Sequence, residues 1–458
     1  MTPDFREMTP QALLKEGGYG CDCGRRHASK VKEIRIGRGV IKELPEILRN
    51  TGISRPFILD DPDTYLAAGE RVREILREAG IPFEAYSLPV RQPEPDDRSV
   101  GAAAMHFAPR CDGILSVGSG VINDIGKILS GISGKPQVFA ATAPSMDGYA
   151  SDSASMVTEG IKVSIPTPCP AAVAADTEIL AAAPLRLLQA GVGDMAAKYI
   201  SVCEWRISHI VTGEYYCPRV ADLMRGSLAE IMSLTEGIKK RDTEAIGRVA
   251  EGLIRSGIAM AYAQVTRPAS GIEHYFSHVW EMMAIERGEK SDLHGIQVGV
   301  GTLLGLKLYE WLAEEAPDAG RAAGAMAAFD DREWRKEVKR IFGSSAERIY
   351  ALEEAAQKNS PARQAAHFEK IQARWPEILG IIREELPAYR ALRETMEGLE
   401  MPVTPQEIGI SAQQAADGLT GSRDIRDKYM LGGLLWDMGL LEEYKERLAA
   451  FLEDPRRE

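Results

Sequence analysis

With 458 residues, 45% of them hydrophobic and 27% charged, the chain is long enough for two domains and for a core that needs no disulfide staple. The 55 Lys and Arg against 67 Asp and Glu leave a net charge of −12. That balance speaks against nucleic-acid binding, which draws on an excess of basic groups to neutralise phosphates. Six scattered cysteines and no 18-residue apolar run argue against a secreted disulfide scaffold and a membrane span, and the polar stretch 1–16 lacks the apolar centre of a leader peptide. The expectation is a cytoplasmic protein.

In chain order, PFILDD at 56–61 reads as a buried strand ending in acids. A helix is predicted over 65–79, stopped by Gly80, then a strand over 81–86 and a helix over 100–107. GILSV at 113–117 is the next buried strand and runs into Gly118-Ser119-Gly120; QVFAA at 137–141 is another. Alternating strands and helices predict a parallel sheet covered on both faces. From about residue 184 the texture changes to stretches rich in Ala, Leu, Glu, Lys and Arg, most charged over 311–400. The reading is an α/β dinucleotide-binding domain over 1–182, then an all-α metal-binding and catalytic domain over 183–458.

Two loops at predicted strand ends could hold a nucleotide. In the first, Gly118, Ser119, Gly120, Val121 and Ile122 lead into a helix, where small residues and free N–H groups suit a phosphate. Asn123 stands where the third glycine of the dinucleotide fingerprint would be, so this loop by itself is equally an ordinary strand–turn–helix corner. The second, Thr142-Ala143-Pro144-Ser145 followed by Asp147 and Ser151, offers hydroxyls and one carboxylate. Asp60 or Asp61, at an earlier strand end, could accept from an adenosine ribose.

Of only seven histidines, three fall close together: His274, His278 and His294. His274 and His278 are spaced to share a helix face, and Asp194 supplies a carboxylate at an apparent helix start. One carboxylate with imidazoles suits Zn2+, Ni2+ or Fe2+ with an open coordination position. Cys21-Asp22-Cys23 with His27 offers three ligands and no evident fourth, so it reads as a turn with incidental thiols.

Taken together, the stretches VGSGVINDIGK at 117–127, ATAPSMDGYASDSASM at 141–156, GVGDMAAKYISVCEW at 191–205, SGIEHYFSHVWEM at 270–282 and LHGIQVGVGT at 293–302 resemble the sn-glycerol-1-phosphate dehydrogenases of the iron-type, group III, alcohol dehydrogenase superfamily. The resemblance implies a divalent metal, usually zinc or nickel, on Asp194, His274 and His294. It implies NAD(H) or NADP(H) on Gly118 to Ile122 and Thr142 to Ser145, joined by Ser151, with Asp60 on the ribose side. Asp147, Asp194 and His278 would meet the substrate. The implied reaction reduces dihydroxyacetone phosphate to sn-glycerol 1-phosphate, a step that would belong to phospholipid metabolism. Hydride would pass between the substrate C2 and the nicotinamide, His278 would relay a proton, and Asp147 would orient the terminal hydroxyl. A homo-oligomer is expected. Lys162, Lys198 and Arg267 are the basic residues considered for the phosphate. A glycerol or polyol dehydrogenase, a lyase or cyclase of the dehydroquinate-synthase type, and a non-catalytic sensor on the same fold stay open as alternatives.

Overall fold

A computed structural model describes residues 3–158 and 161–454. They divide into two compact units, Met1–Met195 with Cys217–Ala269, and Ala196–Tyr216 with Ser270–Glu458. The units interleave along the chain. Leu185–Met195 and Cys217–Ala269 sit with the sheet, whereas the sequence reading assigned everything after 182 to the helical half.

The first unit is built on six parallel strands: β1 (Glu33–Gly37), β2 (Pro56–Asp60), β3 (Glu84–Ser87), β4 (Gly113–Gly118), β5 (Gln137–Ala141) and β6 (Ala172–Asp176). Their spatial order is β1-β6-β5-β4-β2-β3. Alternate residues of each strand feed opposite layers, as the pleat requires. Ile58, Leu115 and Val117 pack with Leu44, Ile47, Val72 and Leu76 on one face, while Phe57, Leu59 and Ile114 pack with Ile122, Ile125 and Leu129 on the other. Helices on both faces explain why the central strands read as unbroken apolar runs rather than alternating ones.

Winding reverses between β2 and β4. The chain steps outward from β2 to β3, returns to the far side of β2 as β4, then proceeds to β5 and β6. Ligands of open α/β sheets bind beyond the strand C-termini at such a reversal, and Gly118 ends β4 there.

The second unit is entirely helical among the described residues. Its central pair is the helix Ile272–Arg287, ended by left-handed Gly288, and the helix His294–Leu312. The two cross tightly, since a Cβ on Gly301 would lie 2.6 Å from the Glu273 carbonyl oxygen. The charged stretch 311–400 forms successive amphipathic helices, the longest being Pro361–Glu385, which kinks at Arg374 two residues before Pro376. No helix among the described residues is long and apolar enough to cross a membrane.

Candidate active site

In the sheet unit, β4 ends at Gly118 and the helix Gly120–Ser133 begins directly after Ser119. The turn is this short because its glycines leave room. A Cβ on Gly118 would come within 2.6 Å of Ile122 Cβ, and one on Gly120 within 3.0 Å of the Met146 side chain. The close helix-to-sheet approach of a dinucleotide fold falls to Gly126 rather than to position 123. A Cβ there would sit 2.0 Å from Ser116 Oγ and 2.4 Å from Gln137 Nε2. Asn123 instead lies against this polar seam, its carbonyl accepting from Gln137 Nε2 at 3.1 Å.

The second loop is bonded to the first and internally braced. The Thr142 N–H donates to the Gly118 carbonyl at 2.8 Å. Buried Tyr149 spans the loop, its hydroxyl donating to the Ala143 carbonyl at 2.5 Å and accepting from the Ser145 N–H at 3.0 Å. Lys127, fully buried in the Gly120–Ser133 helix, donates to the Gly148 carbonyl at 2.5 Å, Ser151 Oγ at 3.0 Å and the Ser153 carbonyl at 2.9 Å. Burial of this ammonium pushes its pKa down, opposed by Asp124. Ser151 is thereby a brace for the loop. Pro144 packs on the helix Leu185–Ala196, where a Cβ on Gly191 would lie 1.9 Å from the Pro144 carbonyl oxygen.

Asp194 rides on that same helix, fully buried. Its Oδ2 accepts from the Asp147 N–H at 2.9 Å, and Asp147 Oδ2 accepts from Ser256 Oγ at 2.8 Å. The expected carboxylates Asp147 and Asp194 are therefore neighbours in one network with the 142–151 loop. Asp60 is elsewhere. It ends β2 with no solvent exposure, and its oxygens accept from Arg73 Nη2 at 2.8 and 3.0 Å and also from the Ser87 hydroxyl. Its carboxylate is already engaged in an ion pair and enclosed. Asp61 caps the turn Pro62–Thr64, accepting from Asp63 N and Thr64 N.

In the helical unit, the helix Ile272–Arg287 carries His274, Ser277, His278 and Glu281, and the next helix opens with His294. Ring centroids lie 5.2 Å apart for His274 and His294, 5.6 Å for His278 and His294, and 6.4 Å for His274 and His278. Each ring is held through Nδ1. His274 Nδ1–H donates to Glu273 Oε1 at 2.9 Å, His294 Nδ1 lies 3.1 Å from Ser277 Oγ, and His278 Nδ1 lies 3.3 Å from Glu281 Oε2. Fixing Nδ1 leaves Nε2 as the outward nitrogen, the arrangement typical of metal-ligating histidines. Burial pushes His278 down to about 3, against the pull of Glu281, so its ring is neutral at ordinary pH.

Besides Glu281, two further carboxylates outside the sequence expectations support the site. Glu273 accepts from the Gly271 N–H at 2.6 Å as well as from His274. Glu204, buried on the helix Lys198–Thr212, accepts from the N–H groups of Ile272 at 2.9 Å and Leu431 at 2.8 Å and from Tyr309 Oη at 3.2 Å. It thereby caps the histidine-bearing helix at its positive end. Glu273 beside a candidate ligand was a readable signal; Glu204, 70 residues earlier than His274, gave none.

Residues 35–184 match the iron-containing alcohol dehydrogenase family. A glycerol-1-phosphate dehydrogenase (NAD(P)+) of Halalkalibacterium halodurans is 35% identical over 294 residues, 63% of this chain and 74% of the relative. The chain belongs to the glycerol-1-phosphate dehydrogenase family. As a member of it, the chain is an oxidoreductase of the iron-type alcohol dehydrogenase superfamily. A glycerol-1-phosphate dehydrogenase (NAD(P)+) of Bacillus licheniformis is 26% identical over 434 residues, 94% of this chain and 95% of its own, so that match extends through the charged helices at 311–400. The solved glycerol dehydrogenase of Schizosaccharomyces pombe shares the fold, with a TM-score of 0.60 at 13% identity over 92% of this chain and 91% of that one.

Of the basic residues considered for a phosphate, Lys198 and Arg267 are almost completely buried, and Lys162 lies in a hairpin strand opposite Val157. The helical unit brings forward two others. Arg426 and Lys428 stand over the Tyr275 ring at 5.9 and 5.5 Å from its centroid, and that ring lies 5.8 Å from His278.

Proposed function

We propose that this chain interconverts dihydroxyacetone phosphate and sn-glycerol 1-phosphate with NADH or NADPH, using one divalent metal, zinc or nickel before iron. The observation that carries the reading is the trio of histidines held through Nδ1 in a chain of this family. Asp194, His274 and His294 are the residues assigned to the metal. Two imidazoles, each anchored at Nδ1, and one buried carboxylate are a fitting donor set for such an ion with a position left for substrate. The glycine turn at the sheet's winding reversal and the braced 142–145 loop after the neighbouring strand fit a dinucleotide.

When bound, the metal polarises the substrate oxygen and the nicotinamide exchanges the hydride. The chain's own residues do the rest. The N–H groups of Gly120, Val121 and Ile122, at the start of a 14-residue helix, receive dinucleotide phosphate, with Ser119 and Thr142 to Ser145 along its flank. Asp147, held by Ser256, orients a substrate hydroxyl. Neutral His278 takes the proton of the alcohol at Nε2 as its Nδ1 proton passes to Glu281, and the reverse transfer supplies the proton in reduction. Arg426 meets the substrate phosphate.

Absorbance of reduced nicotinamide, followed with dihydroxyacetone phosphate and with dihydroxyacetone before and after chelation and metal add-back, tests this. Chelator-sensitive oxidation with the phosphate alone, giving the sn-1 product on chiral analysis, supports the proposal. Oxidation with dihydroxyacetone instead makes the chain a polyol dehydrogenase. No oxidation with either, in metal-loaded protein, ends the redox reading and returns the lyase and sensor alternatives.

A further inference from the structure

The N-terminal hairpin belongs to the sheet unit and takes no part in the site above. Tyr19–Gly20 pairs antiparallel with Arg26–His27. Between them the Cys21 N–H donates to the Arg25 carbonyl and the Gly24 N–H to the Cys21 carbonyl, both at 3.0 Å, with Gly24 at φ +83°. This tight turn carries Cys21 and Cys23 together, and His27 returns beside them. The fourth member is distant in sequence. Cys217, fully buried, precedes the helix Pro218–Met232.

One donor atom from each of Cys21, Cys23, His27 and Cys217 lies within 4.8 Å of every other. Cys21 Sγ is 3.7 Å from Cys217 Sγ, and His27 Nε2 is 3.4 Å from both Cys23 Sγ and Cys217 Sγ. A disulfide needs about 2.05 Å between sulfurs. Tetrahedral zinc, with bonds of about 2.3 Å to sulfur and 2.0–2.1 Å to nitrogen, separates two sulfurs by about 3.8 Å and sulfur from nitrogen by about 3.6 Å. The observed spacings are those of such a shell.

The imidazole is also set for this role. His27 Nδ1–H donates to the Tyr262 carbonyl at 2.9 Å, which fixes the tautomer and turns the Nε2 lone pair toward the three sulfurs. The ring stacks on Tyr262 at 5.4 Å and meets the edge of Phe5 at 5.8 Å. Thiols packed only as small apolar groups would not need an imidazole with a committed tautomer aimed among them.

We propose that Cys21, Cys23, His27 and Cys217 bind one zinc ion as a closed Cys3His site. Four protein ligands leave no position for substrate, so the ion is structural. It ties the N-terminal hairpin to the start of the Pro218–Met232 helix and, through Tyr262, to the helix Thr243–Ala263 that supplies Ser256. The sequence offered three ligands within seven residues; the fourth arrives from 190 residues further on.

Cobalt substitution of the full-length protein tests the assignment without reference to turnover. The native chain loaded with cobalt should show thiolate-to-metal charge transfer and intense tetrahedral ligand-field bands. A carboxylate–imidazole site contains no thiolate and cannot produce the charge transfer, so H274A should keep that band even while losing the other metal. C23S and C217S should each hold one zinc fewer per chain than the native protein by elemental analysis. Absence of the charge-transfer band in the native cobalt protein overturns the proposal, as does unchanged zinc content in both variants. Because the spectrum is read on the native chain, a variant that fails to fold does not shelter the idea.

Discussion

Glu273 holds His274 by a hydrogen bond of 2.9 Å from the ring Nδ1–H while accepting the Gly271 N–H at 2.6 Å. One carboxylate thus sets both the tautomer of a candidate ligand and the start of the helix that carries it. Both bonds fall on Oε1, so E273Q can keep them on its amide oxygen but loses the charge that raises the basicity of the ring. Metal affinity should fall roughly 10- to 100-fold, read by competition with a chelator, and added metal should restore most of the activity. An unchanged affinity would remove Glu273 from the metal's support.

Arg426, above the Tyr275 ring, is assigned to the substrate phosphate. A charge-assisted bond contributes about 1.5–3 kcal/mol, so R426Q should raise KM for dihydroxyacetone phosphate roughly 10- to 100-fold. The KM for NADH should hardly move. Equal losses for both would mean a general disturbance and would return the phosphate to Lys162, Lys198 or Arg267.

Lys127 is a buried cation with three oxygen partners and Asp124 at 3.6 Å. In K127M the shape is nearly kept, but two carbonyls and a buried carboxylate each lose their charged partner. Breaking a buried charge pair from one side costs about 3–5 kcal/mol. Denaturant unfolding should show a loss of that order. The loop it braces should also bind dinucleotide more weakly, by fluorescence titration of NADH. Native stability in K127M would mean that the loop is braced elsewhere.

Among the charged helices, Glu337 is pushed down to about 2 by Arg340 and then Lys445. A carboxylate depressed in the folded state stabilises it above its unfolded pKa, and that contribution is lost as pH falls toward the folded value. Partial exposure screens the pair, leaving about 1 kcal/mol. E337Q should therefore be less stable than the native protein by about that much at pH 7. The two should converge as pH drops from the ordinary 4.5 toward about 2. A pH-independent difference would assign the loss to packing.

The parts of the fold that were legible are those with a local signature. PFILD, GILSVG and QVFAA are runs buried on both faces, and they emerge as β2, β4 and β5 with close to the expected limits. The edge strands were harder. EIRIG, which forms β1 at one edge, alternates charged and apolar residues, and the strand expected over 81–86 occupies only Glu84–Ser87. The helix expected over 65–79 begins with a π turn at Tyr65–Gly69, where a Cβ on Gly69 would lie 2.6 Å from Asp60 Oδ2. That packing also shows why Asp60 looks outward in sequence and is enclosed in space. His274, His278 and His294 were readable because histidine is rare here and these three fall within two helical segments. Glu204, Arg426 and Cys217 were not, because each acts across a long separation in the chain and carries no spacing that would mark it.

The hairpin cluster has a temporal side. During synthesis, the hairpin at 19–27 emerges long before Cys217 and the Tyr262 carbonyl that meet His27. At about 5–20 residues per second, those partners follow roughly 10–50 s later. The hairpin is therefore made well before it can be fastened, and until then Cys21 and Cys23 stay open beside His27, waiting for Cys217. A nascent chain stalled short of residue 217 should keep Cys21 and Cys23 open to alkylation, and a longer one should close them.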